Sequence, residues 1–141
     1  MFSHTSQIRI RYSETDQMGY CYYGNYAQFF EIGRVETLRE IGVPYRELEE
    51  RGIILPVLDL NVKYILPAKY DDLIKIRTIL KDVPTAKIEF DYEIFNEENQ
   101  LLTKAYTSLV FISKETMKPI SPPKDILDKI RTAIETTDPH K

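Results

Sequence analysis

Between Arg11 and Tyr26 the chain collects the groups best suited to act on a carbonyl compound. Asp16 offers a carboxylate and Cys21 a thiol, and Tyr20, Tyr22, Tyr23 and Tyr26 crowd the same stretch, punctuated by Gly19 and Gly24. The segment stops where an apolar stripe starts at three- and four-residue spacing: Tyr26, Phe29, Phe30, Gly33, Leu38 and Ile41. It therefore leads into the N-terminus of a helix. Free N–H groups and the positive dipole end sit there, and both favour negative charge. A carbonyl oxygen placed there is polarised, and the oxyanion formed on attack is held by backbone donors. An aspartate a few residues upstream can attack from the opposite side or deprotonate a water. Glycine at 24 lets a ligand approach the backbone closely.

Each of these residues also has a purely structural reading. Asp16 could cap a turn. Glu14 competes with it as a base, or is a solvated or Arg-paired carboxylate. Cys21 at a helix N-terminus could be a nucleophile, but free cysteines mostly pack as small apolar residues. Tyr20, Tyr22, Tyr23 and Tyr26 could line an aromatic pocket, or Tyr22 and Tyr26 only pack the start of the helix. Glu31 is a second acid, or a carboxylate paired with Arg34 or Arg11. The only histidines are His4 and His140, near the two ends of the chain. Chain ends are usually poorly ordered, so an imidazole base is not expected. There is no Gly-x-Ser-x-Gly and no phosphate-cradling Walker loop, and the glycines do not fit dinucleotide spacing. Carboxylates and backbone amides are left to carry any chemistry.

The elements that must position these groups follow from periodicity. Ile8, Ile10 and Tyr12 alternate with Arg9 and Arg11 as a short strand. The apolar stripe from Asn25 predicts a helix of about eighteen residues, stopped by Gly42 and Pro44. A second helical piece covers Tyr45 to Arg51 and ends at Gly52. Leu58, Leu60, Val62 and Tyr64 then alternate with polar neighbours, as do Ile74, Ile76 and Leu80. Ala86, Ile88, Phe90, Tyr92 and Ile94 form the clearest strand. Asn96-Glu97-Glu98-Asn99 is a hairpin turn, and Leu101 to Ile112 a last long strand. Short connections make the strands antiparallel. Ser121-Pro122-Pro123 opens a C-terminal helix over about 122–136, with Ile126, Leu127, Ile130 and Ile134 on its apolar face. The expected class is α+β, a curved antiparallel sheet around one long helix. Leu109, Val110, Phe111 and Ile112 are apolar on both faces of their strand, which asks for a partner surface and predicts a homo-oligomer.

Bulk properties bound the alternatives. A chain of 141 residues suits one domain, spanning 1–141, with a core that needs no disulfides or metals. A formal net charge of −3 argues against a nucleic-acid partner. One cysteine excludes a disulfide framework and an all-cysteine zinc site. No apolar run approaches the length of a membrane span, and the polar Met1–Arg11 segment carries no visible signal peptide. A soluble cytoplasmic protein is the expectation.

The run Asp16-x-x-Gly19-x-x-x-Tyr23-x-Asn25-Tyr26, followed by Phe29-Phe30-Glu31, resembles the signature of the hotdog-fold acyl-CoA thioesterases of the 4-hydroxybenzoyl-CoA thioesterase type. The Tol–Pal-associated bacterial thioesterases share that pattern. The resemblance covers about Gln7 to Ile120, including Val62-x-Tyr64-x-x-Pro67-Ala68. It implies hydrolysis of a thioester to free acid and coenzyme A. Asp16 is implied as nucleophile or general base, with the Tyr23 N–H, aided by that of Gly24, as the carbonyl-polarising donor. Gly19 is implied as the glycine of the loop that lets the thioester pass, and Met18, Tyr20, Asn25 and Tyr26 stand beside these as substrate-binding candidates. It further implies no metal, no cofactor beyond the coenzyme A of the substrate, and a homodimer or homotetramer with active sites at the dimer interface. Many members carry His where this chain has Tyr23. Lys63, Lys69, Arg77, Lys87 and Lys104 are candidates for the phosphates of coenzyme A. An acyl-carrier-protein thioesterase and a non-catalytic acyl-CoA-binding protein are the alternatives.

Overall fold

The computed structural model describes residues 1–137 of the chain. Strand β1 (Phe2–Arg9) leads through two short 3₁₀ turns, Tyr12–Glu14 and Tyr23–Asn25, into helix α1 (Tyr26–Ile41). Helix α2 (Tyr45–Glu50), strand β2 (Ile53–Ile54) and strand β3 (Val57–Tyr64) follow. Strands β4 (Leu73–Leu80), β5 (Lys87–Phe95), β6 (Leu101–Val110) and β7 (Ile112–Ser113) precede helix α3 (Lys124–Thr137). The main sheet has five strands in the order β1-β4-β5-β6-β3, every pair antiparallel. Strands β2 and β7 pair separately. This is the hotdog arrangement: one face of the sheet wraps α1, and α3 lies against β1 and α1.

The alternation of β5 fixes its faces. Ile88, Phe90, Tyr92 and Ile94 are buried, while Lys87 and Glu89 stay in solvent. Helix α1 buries Tyr26, Phe29, Phe30, Gly33, Arg34, Thr37 and Leu38 against that surface. Gly33 sits where the helix crosses β4, and a Cβ there would collide with the Thr78 Oγ1 and press on Ile76. Gly42, at φ 98°, ends the helix in the left-handed conformation that glycine adopts without penalty. On α3, Ile126, Ile130 and Ile134 supply the apolar face, and Asp125 receives both guanidinium nitrogens of Arg51 at 2.8 and 3.0 Å. No helix among the described residues is long and apolar enough to cross a membrane.

Three expectations change. The first strand begins at Phe2, not Ile8, and it ends before Tyr12, which lies exposed in a 3₁₀ turn. His4 is therefore part of an ordered ladder opposite Thr78, because pairing with β4 fixes the N-terminal segment; His140 lies outside the described residues. The expected strand Leu101–Ile112 divides into β6 and β7. Its apolar residues Leu109, Val110, Phe111 and Ile112 are buried within the chain itself. Covering comes from Pro56, whose carbonyl accepts the Val110 amide at 3.2 Å, from Ala86, and from β2. The apolar surface left open is instead β3, a sheet edge where Val57, Leu58, Leu60 and Tyr64 are each 44–49% exposed.

Candidate active site

The stretch between β1 and α1 is a small, rigid hairpin. Its stem is an antiparallel ladder: Tyr22 N–H donates to Glu14 O at 2.8 Å, Thr15 bridges Cys21, and Asp16 N–H donates to Tyr20 O at 2.9 Å. The tip is a turn closed by Gly19 N–H on Asp16 O at 3.0 Å, and Gly19 takes φ 78°, where a side chain would be strained. The hairpin is bolted to the chain ahead of β4 by Cys21 N–H to Ala68 O at 2.7 Å and Tyr70 N–H to Gly19 O at 3.1 Å.

Asp16 caps the turn with one carboxylate oxygen. Its Oδ1 accepts the amides of Met18 at 2.9 Å and Tyr20 at 3.3 Å, holding the tip in an Asx turn. Its Oδ2 accepts no hydrogen bond from the described residues, so one oxygen of a half-buried carboxylate is left over for a ligand or a water. The carboxylate lines a groove of about 580 Å³ with Tyr12, Thr15, Gln17, Gly19 and Tyr70. Tyr12 and Tyr70 meet edge to face there, ring centres 5.7 Å apart.

Two carbonyls tie this hairpin to the helix: Tyr22 O accepts the Asn25 amide at 3.0 Å, and Glu14 O holds the Asn25 side chain. Glu14 O accepts both the Tyr22 amide and, at 2.9 Å, the Asn25 side-chain amide, so the hairpin and the first turn before α1 share one anchor. Among the described residues the amides of Tyr23 and Gly24 donate to no protein acceptor, as expected of the first positions of a helical run. Tyr23 is 65% exposed. A Cβ on Gly24 would stand 2.6 Å from Cε2 of Tyr22, so the close approach this glycine permits is to that ring.

The remaining sequence candidates divide. Glu14 is neither a free base nor solvated: it is buried and takes the Arg11 amide at 2.8 Å and its guanidinium at 3.2 Å. Burial alone would raise its pKa, but the bonds to Arg11 hold it below the usual carboxylate value. Cys21 is a packing residue. Burial, reinforced by the nearby Glu14 charge, pushes its thiol up to about 11. Tyr26 is in the core against Phe29, Phe30 and Tyr64, its hydroxyl pushed up to about 12 chiefly by burial. Asn25 spends its side chain on Glu14. Met18 and Tyr20 stay exposed on the tip. Glu31 is exposed, and among the described residues it pairs with neither Arg34 nor Arg11. Of the basic candidates, Arg77 is bound to Glu93 at 2.7 Å, Lys63 and Lys104 face each other across β3 and β6, and Lys87 lies beyond them. Lys69 alone adjoins the hairpin, bridging to Tyr20. Tyr12 and Tyr70 escape sequence reasoning. Tyr70 comes from a distant loop, brought to the groove by its backbone bond to Gly19 and its ring contact with Tyr12. No group of three or more His, Cys, Asp or Glu among the described residues is arranged to hold a metal ion.

Comparison with known proteins agrees with the fold. The profile of the thioesterase-like superfamily matches residues 10–130. The Bacillus subtilis protein YneP is 36% identical over 114 residues, covering 81% of this chain and 83% of its own length. The acyl-CoA thioester hydrolase YbgC of Escherichia coli is 31% identical over 124 residues, 88% of this chain and 92% of its own. Among solved structures, a DHNA-CoA thioesterase from Staphylococcus aureus superposes with a TM-score of 0.92 at 35% identity, covering 100% of this chain and 97% of that one.

Proposed function

We propose that this chain, which belongs to the thioesterase-like superfamily, hydrolyses acyl-CoA thioesters to free acid and coenzyme A at the Asp16 hairpin. The observation that carries the reading is the shared Glu14 carbonyl. It locks a carboxylate with one free oxygen to a helix start with two undonated amides. The thioester carbonyl oxygen takes the Tyr23 and Gly24 N–H groups, which strengthen their hold as it becomes an oxyanion. Asp16 Oδ2 either takes a proton from an attacking water or attacks the carbonyl carbon itself. In both cases the C–S bond breaks and coenzyme A leaves as a thiolate; the first route gives the free acid directly, and the second leaves a mixed anhydride on Asp16 that a water then hydrolyses to the free acid. A thiolate is a good leaving group, so the site works without an imidazole acid. Lys69, at the rim beside Tyr20, is the cation best placed for a phosphate of the coenzyme.

Two copies complete the site. β3 is an unpaired edge bearing exposed Val57, Leu58, Leu60 and Tyr64, and single domains rarely leave such an edge uncovered. Pairing β3 with β3 of a second copy covers it and continues the sheet. Tyr23 packs on Tyr64 with ring centres 6.5 Å apart, so the oxyanion site lies at that interface. A cytoplasmic setting suits a chain with one buried, reduced thiol. Thiol release from a panel of acyl-CoAs, comparing the native protein with Asp16→Asn, tests the reading. No release from any ester, or undiminished release by the variant, refutes it.

A further inference from the structure

The face of the main sheet turned away from α1 carries its charges in rows that run across the strands. In one row Arg77 of β4 stands opposite Glu93 of β5, Glu93 opposite Lys104 of β6, and Lys104 opposite Lys63 of β3. Arg77 and Glu93 are paired at 2.7 Å. The signs alternate as far as β6, and then two lysines meet across the last pair. Like charges directly opposite one another are destabilising. Neither Lys63 nor Lys104 forms an ion pair among the described residues. Four residues back along β3 another row ends on the opposite sign: Glu89 stands opposite Ser108, and Ser108 opposite Asp59. Asp59 Oδ2 accepts the Ser108 hydroxyl at 2.9 Å, and this carboxylate too enters no ion pair among the described residues. The exposed edge of the sheet therefore presents an unpaired minus at 59 and an unpaired plus at 63, on either side of neutral Asn61.

A second copy of the chain supplies what this edge lacks. Two identical strands that pair antiparallel are related by a two-fold axis, so each contact occurs twice. Residues directly opposite share a face of the sheet. An axis passing between two residues would therefore turn the charged positions of one strand onto the apolar face of the other. An axis through Leu60 puts Lys63 opposite Val57, and one through Val62 puts it opposite Asn61. An axis through Asn61 puts Lys63 of each copy opposite Asp59 of the other, and sets Leu60 opposite Val62 on the helix side. The two lysines then gain the carboxylate that neither has in the single chain. We propose that Asp59 and Lys63 form a reciprocal charge lock across paired β3 edges, which fixes their register about Asn61 and makes the edge select its own kind over chains with other charges at these positions. This rests on the two-copy reading given above and is independent of the hydrolytic chemistry.

Exchanging the charges tests the lock. Lys63→Glu makes both edge positions acidic and Asp59→Lys makes both basic, so each variant meets itself with like charges at two places. Each should dimerise at least ~10-fold more weakly than the native protein in sedimentation, since two attractive contacts become repulsive ones. An equimolar mixture of the two should restore native-like affinity and give chiefly the heterodimer in native mass spectrometry. Salt supplies a second reading that needs Lys63→Glu alone, should Asp59→Lys not fold. Raising the ionic strength to about 1 M, where charges are screened beyond ~3 Å, should weaken the native dimer and tighten that of the variant. Variants that self-associate as tightly as the native chain, heterodimer no more abundant than random pairing gives, or the same salt response in native and variant protein overturns the lock while leaving β3 pairing in place. A native protein that stays monomeric defeats the pairing and the lock together. Thiol release from acyl-CoA is measured separately, so the hydrolase reading stands or falls by itself.

Discussion

Replacing Asp16 by Asn separates the two jobs that the carboxylate does. The amide oxygen of Asn can take the place of Oδ1 and still accept from Met18 and Tyr20, at 2.9 and 3.3 Å in the native protein. What changes locally is that two charge-assisted bonds become neutral ones. A charged partner is worth roughly twice a neutral one, so each bond loses about 0.5–1 kcal/mol at most. The hairpin is also held by its own ladder and by Ala68 and Tyr70. The variant should therefore fold with about 1–2 kcal/mol less stability, a fall in Tm of roughly 3–8 °C. The free oxygen, by contrast, becomes an NH₂, which is neither nucleophile nor base. Thiol release from acyl-CoA should drop ~10²–10⁴-fold in kcat/KM, about 3–5 kcal/mol of lost transition-state stabilisation. Asp16→Ala removes both jobs and should lose more stability than Asn but no more activity per folded molecule. Calorimetry and a colorimetric thiol assay on the same samples separate the two losses. An Asn variant within tenfold of native turnover, or rates that track only the folded fraction in both variants, would show that Asp16 is a turn residue and nothing else.

Three further perturbations probe the frame around the site. Gly33→Ala drives a methyl into the buried Thr78 side chain, a stiff β-branched neighbour. It should cost ~1–3 kcal/mol despite alanine's helix preference, and adding Thr78→Ala should restore most of the lost Tm; an unchanged Tm in the single variant contradicts the helix–sheet contact. Leu60→Lys places a charge on the exposed β3 edge and should convert a dimer to a monomer in sedimentation, whereas identical sedimentation of both proteins excludes that edge as the interface. Glu14 has a folded pKa below its ordinary value, so its pairing adds stability above the usual carboxylate pKa, and that stability is lost as pH falls through the depressed one. Arg11→Ala should destabilise at pH 7 and flatten the Tm-against-pH curve on the acid side; an acid limb as steep as the native one would mean other carboxylates dominate it.

Periodicity made most of the frame legible. The stripe Tyr26, Phe29, Phe30, Gly33 marks α1, and the alternation from Ile88 to Ile94 marks β5, because each pattern reports burial by a single element. Burial by a neighbour was harder to read. In β1 the inward positions include His4 and Ser6, too polar to announce a strand, and it is the ladder with β4 that holds them. The run Leu109–Ile112 does mark a segment buried on both faces, but the covering surface is the chain's own Pro56, Ala86 and β2 rather than a second copy. Conversely, Leu58 and Leu60 alternate as core residues do, yet stand in solvent because β3 is last in the sheet. The catalytic candidates were legible where they share one stretch of sequence. Tyr70 and the cleft around Arg34 were not, and Lys69 could not be told from the other basic candidates, since each depends on segments far apart in the chain.

The two surfaces that a single chain leaves unsatisfied lie at opposite ends of the same strand. At the Tyr64 end, exposed Tyr23 and two undonated amides wait for an acceptor. Beside the Val57 end, a buried guanidinium and a phenol hydroxyl also wait for one. Only the buried pair is costly in isolation, because polar groups without partners there lose their hydration and gain nothing in return, whereas the exposed amides keep theirs. Pairing two β3 edges antiparallel, as proposed above, would set these ends against each other twice, once for each protomer.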